Sequence, residues 1–145
     1  MTKRRSGPED RLRALAETAK GLAHPARLRL LAMLAGGELC VCQMTSVLAL
    51  APSTVSQHLS VLSHGGLVAD RKEGKLVFYR LREDALAAAL VPPLLELLAG
   101  DATARADRAV VDRLRRVSVA DLCAAELDLV AIGVRRPPRQ ASALA

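Results

Sequence analysis

Two cysteines separated by one residue are the side chains of this 145-residue chain best suited to chemistry. Cys40 and Cys42 lie at the start of a segment, residues 39–48, that is predicted to be helical. Thiolates are soft ligands that select soft ions, and a helix N-terminus lowers the pKa of a thiol because it favours the anion. Residues two apart on an ideal helix do not face each other, so closing both sulfurs on one ion should distort this turn. The alternative is that these cysteines are small buried hydrophobes.

A set of short polar side chains occupies the next predicted helix, which starts at Pro52 and ends at Gly65 and Gly66. Apolar residues recur in this helix at positions i, i+4 and i+7, which predicts one buried face. The other faces carry hydrogen-bond donors and acceptors that suit the major groove of DNA. A glutamine amide can contact adenine at two points, and hydroxyls contact base edges or phosphates. The alternative is a solvated surface. The candidate DNA-binding residues are Ser53, Thr54, Ser56, Gln57 and His58.

A basic hairpin is predicted over residues 67–81, with a tight turn at Glu73 and Gly74. Its cations should replace counterions on a DNA backbone, each adding about one unit to the salt dependence of binding. The net charge of +6 agrees with a polyanionic partner. Phe78 and Tyr79 are the only aromatic residues, which argues against modules that stack single-stranded bases. The candidate cations are Arg71, Lys72, Lys75 and Arg80.

The remaining segments complete a mainly helical fold with a β-hairpin wing, in the order of a winged helix-turn-helix. We expect tails at residues 1–8 and 134–145, a DNA-binding and dimerisation domain at 9–100, and a C-terminal helical extension at 101–133. Pro92 and Pro93 should break or kink the helix that follows the wing. The predicted helices outside the two already described are residues 9–21, 25–35, 83–99, 102–116 and 119–132.

The composition favours a cytoplasmic protein that is neither a membrane protein nor an enzyme. The N-terminus lacks a signal-peptide pattern, and the most apolar stretch, residues 85–99, is too short to span a bilayer. Three cysteines are an odd number, which argues against a disulfide framework in a reducing compartment. The sequence has no phosphate-binding glycine loop, catalytic triad or paired-carboxylate signature.

Four segments, AHPARLRLLAML, ELCVC, STVSQHLSVLSHGGLV and DRKEGKLVFYRL, resemble the ArsR/SmtB family of metal-responsive repressors in their order and spacing. The resemblance covers residues 14–98. It implies a repressor that binds double-stranded operator DNA as a homodimer. The dimer would form through the first helix and the helix after the wing, which carries Leu86, Leu90, Leu94 and Leu97.

The segment ELCVC resembles the arsenic-sensing branch, which implies As(III) or Sb(III) as the inducer bound by Cys40 and Cys42. In that branch a further cysteine commonly follows three positions after the second, where this chain has Thr45. Cys123 is the only cysteine left to supply a third sulfur. Against this, Cys123 shares a predicted helical face with apolar residues and suits a core position. A zinc site across the dimer helices is not expected, because residues 84–98 contain no histidine.

Two other interpretations of the cysteine pair remain open. The repressor could answer a two-thiol organoarsenical, another thiophilic metal, or oxidation of the cysteine pair. From a different class, the chain could be a thiol oxidoreductase that uses the same pair, although the basic wing counts against that function.

Overall fold

The computed structural model describes residues 8–136. The fold is mainly helical with a small antiparallel sheet, which confirms the predicted winged helix-turn-helix. The first half contains α1 (Pro8–Leu22), α2 (Pro25–Leu34), β1 (Leu39–Cys40), α3 (Val41–Leu48) and α4 (Pro52–His64). The second half contains β2 (Val68–Glu73), β3 (Leu76–Leu81), α5 (Ala85–Leu98), α6 (Ala102–Leu114) and α7 (Val119–Ala124). Residues 1–7 and 137–145 of the predicted tails lie outside the described residues.

Local sequence explains where α2 and α4 begin. α2 and α4 both start with proline, whose fixed φ suits the first helical position. The Nδ1 atom of His24 accepts a hydrogen bond from the N–H of Ala26, so this histidine caps α2. Ala51 provides no side-chain cap for α4, and the proline alone marks its start.

The wing is a three-stranded sheet rather than a simple hairpin. β3 lies in the centre, paired with β2 on one side and with β1 on the other. In the second pairing, Leu39 faces Tyr79 and Cys40 faces Phe78. The predicted helix over 39–48 is therefore wrong at its first two residues, which are extended. Two residues are too few to produce a strand pattern, and only the pairing with a distant strand fixes their conformation.

One apolar core joins the winged helix to the C-terminal extension. Residues of α2, α3 and α4 such as Leu30, Met44 and Leu59 are fully buried, and Leu114 of α6 and Leu122 of α7 belong to the same cluster. The segment predicted as the C-terminal tail begins with Val134, which is also buried in this cluster. Arg29 of α2 and Asp107 of α6 form an ion pair across the same contact. The extension therefore packs on the body of the domain.

The sequence predicts a break or a kink at Pro92 and Pro93, whereas α5 is unbroken there. Both prolines are exposed, as are Ala88 and Ala89 four positions earlier, so water can reach the carbonyls that prolines leave without a partner.

The last predicted helix, residues 119–132, ends early. α7 stops at Ala124, and Glu126 and Leu127 have φ values of 51° and 64°, in the left-handed region that ends a helix. Within residues 8–136 no single helix is long and apolar enough to cross a membrane. α5 and α6 satisfy those criteria only as a pair bent by 101°.

Candidate thiol site and nucleic-acid interface

The structure brings the three cysteines of the chain together. The Sγ atoms of Cys40 and Cys42 are 2.8 Å apart, and that of Cys123 lies 3.8 Å from Cys42 although the two residues are 81 positions apart. All three are free thiols: Cys40 is buried, Cys42 is partly buried and Cys123 is exposed. The alternative that placed Cys123 in the core is therefore wrong.

The extended backbone of Cys40 explains why the first two sulfurs meet. Cys40 is the N-cap of α3, with φ −73° and ψ 148°, and Cys42 lies in the first turn. The side chain of Gln43 accepts a hydrogen bond from the N–H of Cys40 at 2.8 Å and fixes this start. Because Cys40 is not helical, the expected distortion of the helix is not needed to bring the two sulfurs together. α7 packs against α3 and brings the Sγ atom of Cys123 close to that of Cys42.

Burial raises the pKa of the Cys42 thiol, and hydrogen bonding and charge from Cys40 and Cys123 raise it further. The predicted lowering by the helix N-terminus is wrong for this residue, because loss of hydration and neighbouring sulfurs outweigh the helix dipole. Cys42 is therefore a neutral thiol near pH 7, and a thiophilic ligand must displace its proton. Within residues 8–136, no group of three or more His, Cys, Asp or Glu side chains is arranged so that it could hold a metal ion.

A cavity of about 280 Å³ adjoins the thiols and reaches the candidate DNA surface. Cys40 and Cys42 line one side, whereas Ser56 of α4 and Lys75 at the wing tip line another. Two of the residues predicted to contact DNA thus border the same space as two of the predicted metal ligands.

α4 presents the predicted polar face to solvent. Val55, Leu59 and Leu62 are completely buried and hold the helix to the body. The candidate DNA-binding residues divide by exposure: Ser53, Ser56 and Gln57 are exposed, whereas Thr54 and His58 are partly buried.

His58 does not simply face DNA or solvent. Its ring lies 4.5 Å from that of His24, centroid to centroid, and its Nδ1 is 3.3 Å from a guanidinium nitrogen of Arg27. Burial lowers the pKa of His58, and the charges of His24 and Arg27 lower it further. The ring therefore links α4 to the start of α2 and remains neutral near pH 7.

The four predicted wing cations have different surroundings. Lys72, Lys75 and Arg80 are exposed. Arg71 donates to both carboxylate oxygens of Glu38 at 2.9 Å and to Glu73 at 2.8 Å. Its guanidinium carbon also lies 4.4 Å above the ring centre of Phe78, a cation–π contact. Much of the charge of Arg71 is therefore balanced within the protein.

Glu38 and Arg115 are structural partners of the thiol site that the sequence pattern did not single out. Glu38 lies two residues before Cys40, and its ion pair with Arg71 connects this part of the chain to the wing. Arg115, just after α6, donates to the carbonyl oxygens of Gly37 and Glu38 at 3.1 Å. The chain leading into β1 is thus held by the wing on one side and by the extension on the other.

Two helices expose apolar surface. Leu12 and Leu15 of α1 are 71% and 46% exposed, and Leu97 of α5 is 80% exposed. Leu86 is also exposed, whereas Leu90 and Leu94 are partly buried. These are the helices on which the sequence predicted a dimer contact.

Comparisons with known proteins agree with this architecture. The profile of the family described as "Bacterial regulatory protein, arsR family" matches residues 24–70. A biofilm growth-associated repressor of Agrobacterium fabrum is 46% identical over 79 residues, which are 54% of this chain and 68% of the relative. The arsenic resistance transcriptional regulator ArsR1 of Pseudomonas putida is 41% identical over 66 residues, which are 45% of this chain and 52% of the relative.

A solved structure adds a comparison at the level of the fold. The homodimeric winged helix-turn-helix DNA-binding domain of a possible ArsR-family regulator from Mycobacterium bovis has 31% sequence identity and a TM-score of 0.53. The match covers 68% of this chain and 87% of that domain.

Proposed function

Because the chain belongs to the ArsR family of bacterial regulatory proteins, we propose that it is a repressor released from operator DNA by As(III) or Sb(III). The observation that carries this proposal is the convergence of Cys40, Cys42 and Cys123 beside the wing. The protein is a DNA-binding winged helix-turn-helix transcriptional regulator, and we expect it to act in the cytoplasm, where thiols stay reduced.

The exposed faces of α4 and the wing support binding to duplex DNA. α4 would enter the major groove with Gln57 and the neighbouring hydroxyls towards base edges. Lys72, Lys75 and Arg80 are exposed cations that would neutralise phosphates on either side. Arg71 contributes less to this field because Glu38 and Glu73 already balance its charge.

The exposed leucines of α1 and α5 support a homodimer. A twofold dimer through these helices would bury Leu12 and Leu97, the most exposed large apolar side chains among the described residues. It would also place two copies of α4 to read a pseudo-palindromic site.

Three thiols suit a trivalent metalloid that forms pyramidal complexes with sulfur. Arsenous acid has three hydroxyl groups, and each is replaced by one sulfur as the thiol proton leaves with it as water. Cys40, Cys42 and Cys123 would supply these sulfurs. The third sulfur would come from Cys123 of the C-terminal extension, because this chain has Thr45 where the arsenic-sensing branch commonly has a cysteine.

The connection between the thiols and the wing supports release of DNA. A ligand shifts an equilibrium only if it binds one conformation better than the other. Cys40 pairs with Phe78 of β3, so drawing the three sulfurs onto one ion pulls β1 and, through the sheet, the wing. The DNA-competent arrangement of α4 and wing would then be disfavoured.

The test is fluorescence anisotropy on a labelled ArsR-type palindrome with and without arsenite. Wild-type protein should bind and be released, whereas Cys40→Ser and Cys42→Ser should bind but remain bound in arsenite. Gln57→Ala is the converse control: it should lose about 1–3 kcal/mol of operator affinity and still bind arsenite. Equal loss on random DNA would reject base reading, and normal release by either cysteine variant would reject the thiol trigger.

Oxidation is a second candidate signal, favoured by the 2.8 Å separation of the Cys40 and Cys42 sulfurs. Release by peroxide but not by arsenite would replace the metalloid with an oxidant. Turnover of a disulfide or arsenate substrate in the presence of a reductant would instead identify a thiol oxidoreductase.

A further inference from the structure

We propose that Arg135 contacts a phosphate of the operator DNA beside α4, so that the segment after α7 forms part of the DNA interface. This inference rests on the proposed binding of duplex DNA by α4 and adds a contact outside the wing. It does not depend on the cysteines or on the inducer.

The helix-turn-helix has no charged side chains of its own apart from histidine. Residues 39–69, which include all of α3 and α4, contain no Lys, Arg, Asp or Glu. Neutralisation of DNA phosphates by lysine and arginine supplies a large share of the affinity of DNA-binding proteins. Any lysine or arginine contact to the phosphates around α4 must therefore come from other segments of the chain.

The wing and the segment after α7 both border α4, at opposite ends of α3. Lys75 of the wing lines the cavity beside the thiols together with Ser56 and residues at the start of α3. A second cavity, of about 460 Å³, is lined by residues at the end of α3, by Pro52 and by Arg135. Pro52 is the first residue of α4, and the N-terminal residues of a recognition helix are those that contact base edges. Arg135 therefore borders the end of α4 that enters the groove.

The backbone holds Arg135 in place and leaves its charge available. The N–H groups of Val134 and Arg135 both donate to the carbonyl oxygen of Leu129 at 2.9 Å. Val134 and Leu129 are each only 5% exposed, so this part of the segment is anchored in the core. The side chain of Arg135 is exposed and takes part in no ion pair within residues 8–136, unlike that of Arg71. Arg135 can therefore pair with a phosphate without first leaving a carboxylate.

Two carboxylates line the same cavity and oppose the charge of Arg135 to different extents. The carboxylate of Asp128 accepts hydrogen bonds from two backbone N–H groups at 2.8 and 3.1 Å, which partly balance its charge. Glu126 is exposed, and its carboxylate has no hydrogen bond or ion pair within residues 8–136. Because like charges repel, Glu126 disfavours a phosphate at this position. Its neutralisation should therefore have the opposite effect on DNA affinity to the loss of Arg135.

Full-length variants test the contact by fluorescence anisotropy on labelled operator and random duplexes at several salt concentrations, without arsenite. Arg135→Ala should reduce the slope of log DNA affinity against log salt concentration by about 0.9 for each bound protomer. Its affinity for the two duplexes should fall by the same factor, because a phosphate carries no sequence information. Arg135→Lys keeps the charge and should retain the wild-type slope. The matched control is Arg105→Ala, which removes an exposed cation of α6 outside the cavity and should leave the slope unchanged.

Glu126→Gln supplies a test of opposite sign, since it should raise the affinity for both duplexes. Circular dichroism should show that each variant keeps the wild-type helix content. Equal slopes for Arg135→Ala and Arg105→Ala would overturn the inference, as would a loss of affinity confined to the operator or a Glu126→Gln protein that binds no better than wild type. Failure of wild-type protein to bind either duplex would contradict the proposed function instead, so the two failures are distinct.

Discussion

The ion pair between Arg29 and Asp107 should determine how firmly the extension is attached. Arg29 donates from Nε and Nη2 to the two carboxylate oxygens at 2.7 and 2.9 Å. The Asp107 side chain is 7% exposed and that of Arg29 is 30% exposed. Removing one partner of a fully buried pair costs about 3–5 kcal/mol, because the other charge is left without compensation. Water reaches part of Arg29, so we expect Asp107→Asn to lower the free energy of unfolding by about 2 kcal/mol.

Urea unfolding followed by far-UV circular dichroism measures this loss, at one fixed protein concentration because dimerisation adds to apparent stability. A thermal scan should show a decrease in Tm of about 4–8 °C for a chain of this length. Asp112→Asn is the matched control, since Asp112 is exposed on the same helix and should change stability by less than about 0.5 kcal/mol. If Asp107→Asn has no greater effect than this control, the ion pair does not attach α6 to α2.

Three further predictions concern the wing, the recognition helix and the α1–α4 contact. Lys75→Ala should reduce the slope of log DNA affinity against log salt concentration by about 0.9. Arg71→Ala should reduce this slope less, because the carboxylates of Glu38 and Glu73 already balance the charge of Arg71. Equal reductions in the two variants would contradict this geometry. Since burial lowers the pKa of His58, the folded state binds fewer protons than the unfolded chain below about pH 6.5. Wild-type stability to urea should therefore decrease more than that of His58→Asn between pH 7.5 and 5.5, and parallel curves would disprove the effect. Thr18 donates a hydrogen bond to the carbonyl of Gly65 at 2.7 Å inside the core. Thr18→Val should therefore lower the free energy of unfolding in urea by about 1–3 kcal/mol. An unchanged unfolding midpoint would show that this hydrogen bond is dispensable.

The sequence by itself determined the elements whose signal is local. The stripe of Val55, Leu59 and Leu62 predicted α4 and its buried face, and all three are completely buried. Pro25 and Pro52 marked two helix starts because a fixed φ acts on the residue that carries it. Turn chemistry at Gly74, which has a φ of 59°, placed the end of the wing. The family resemblance, which the comparisons confirm, depends on the same local segments.

Only the tertiary structure decided how the thiol site is assembled. Leu39 and Cys40 became a strand because β3 lies beside them, and no pattern within two residues encodes that pairing. The apolar spacing suited Cys123 to the core, whereas the packing of α7 buries the neighbouring Leu122 and leaves Cys123 exposed near Cys42. Sulfurs that lie 81 positions apart meet through the packing of α7 on α3, which depends on buried contacts among several helices rather than on any spacing within one.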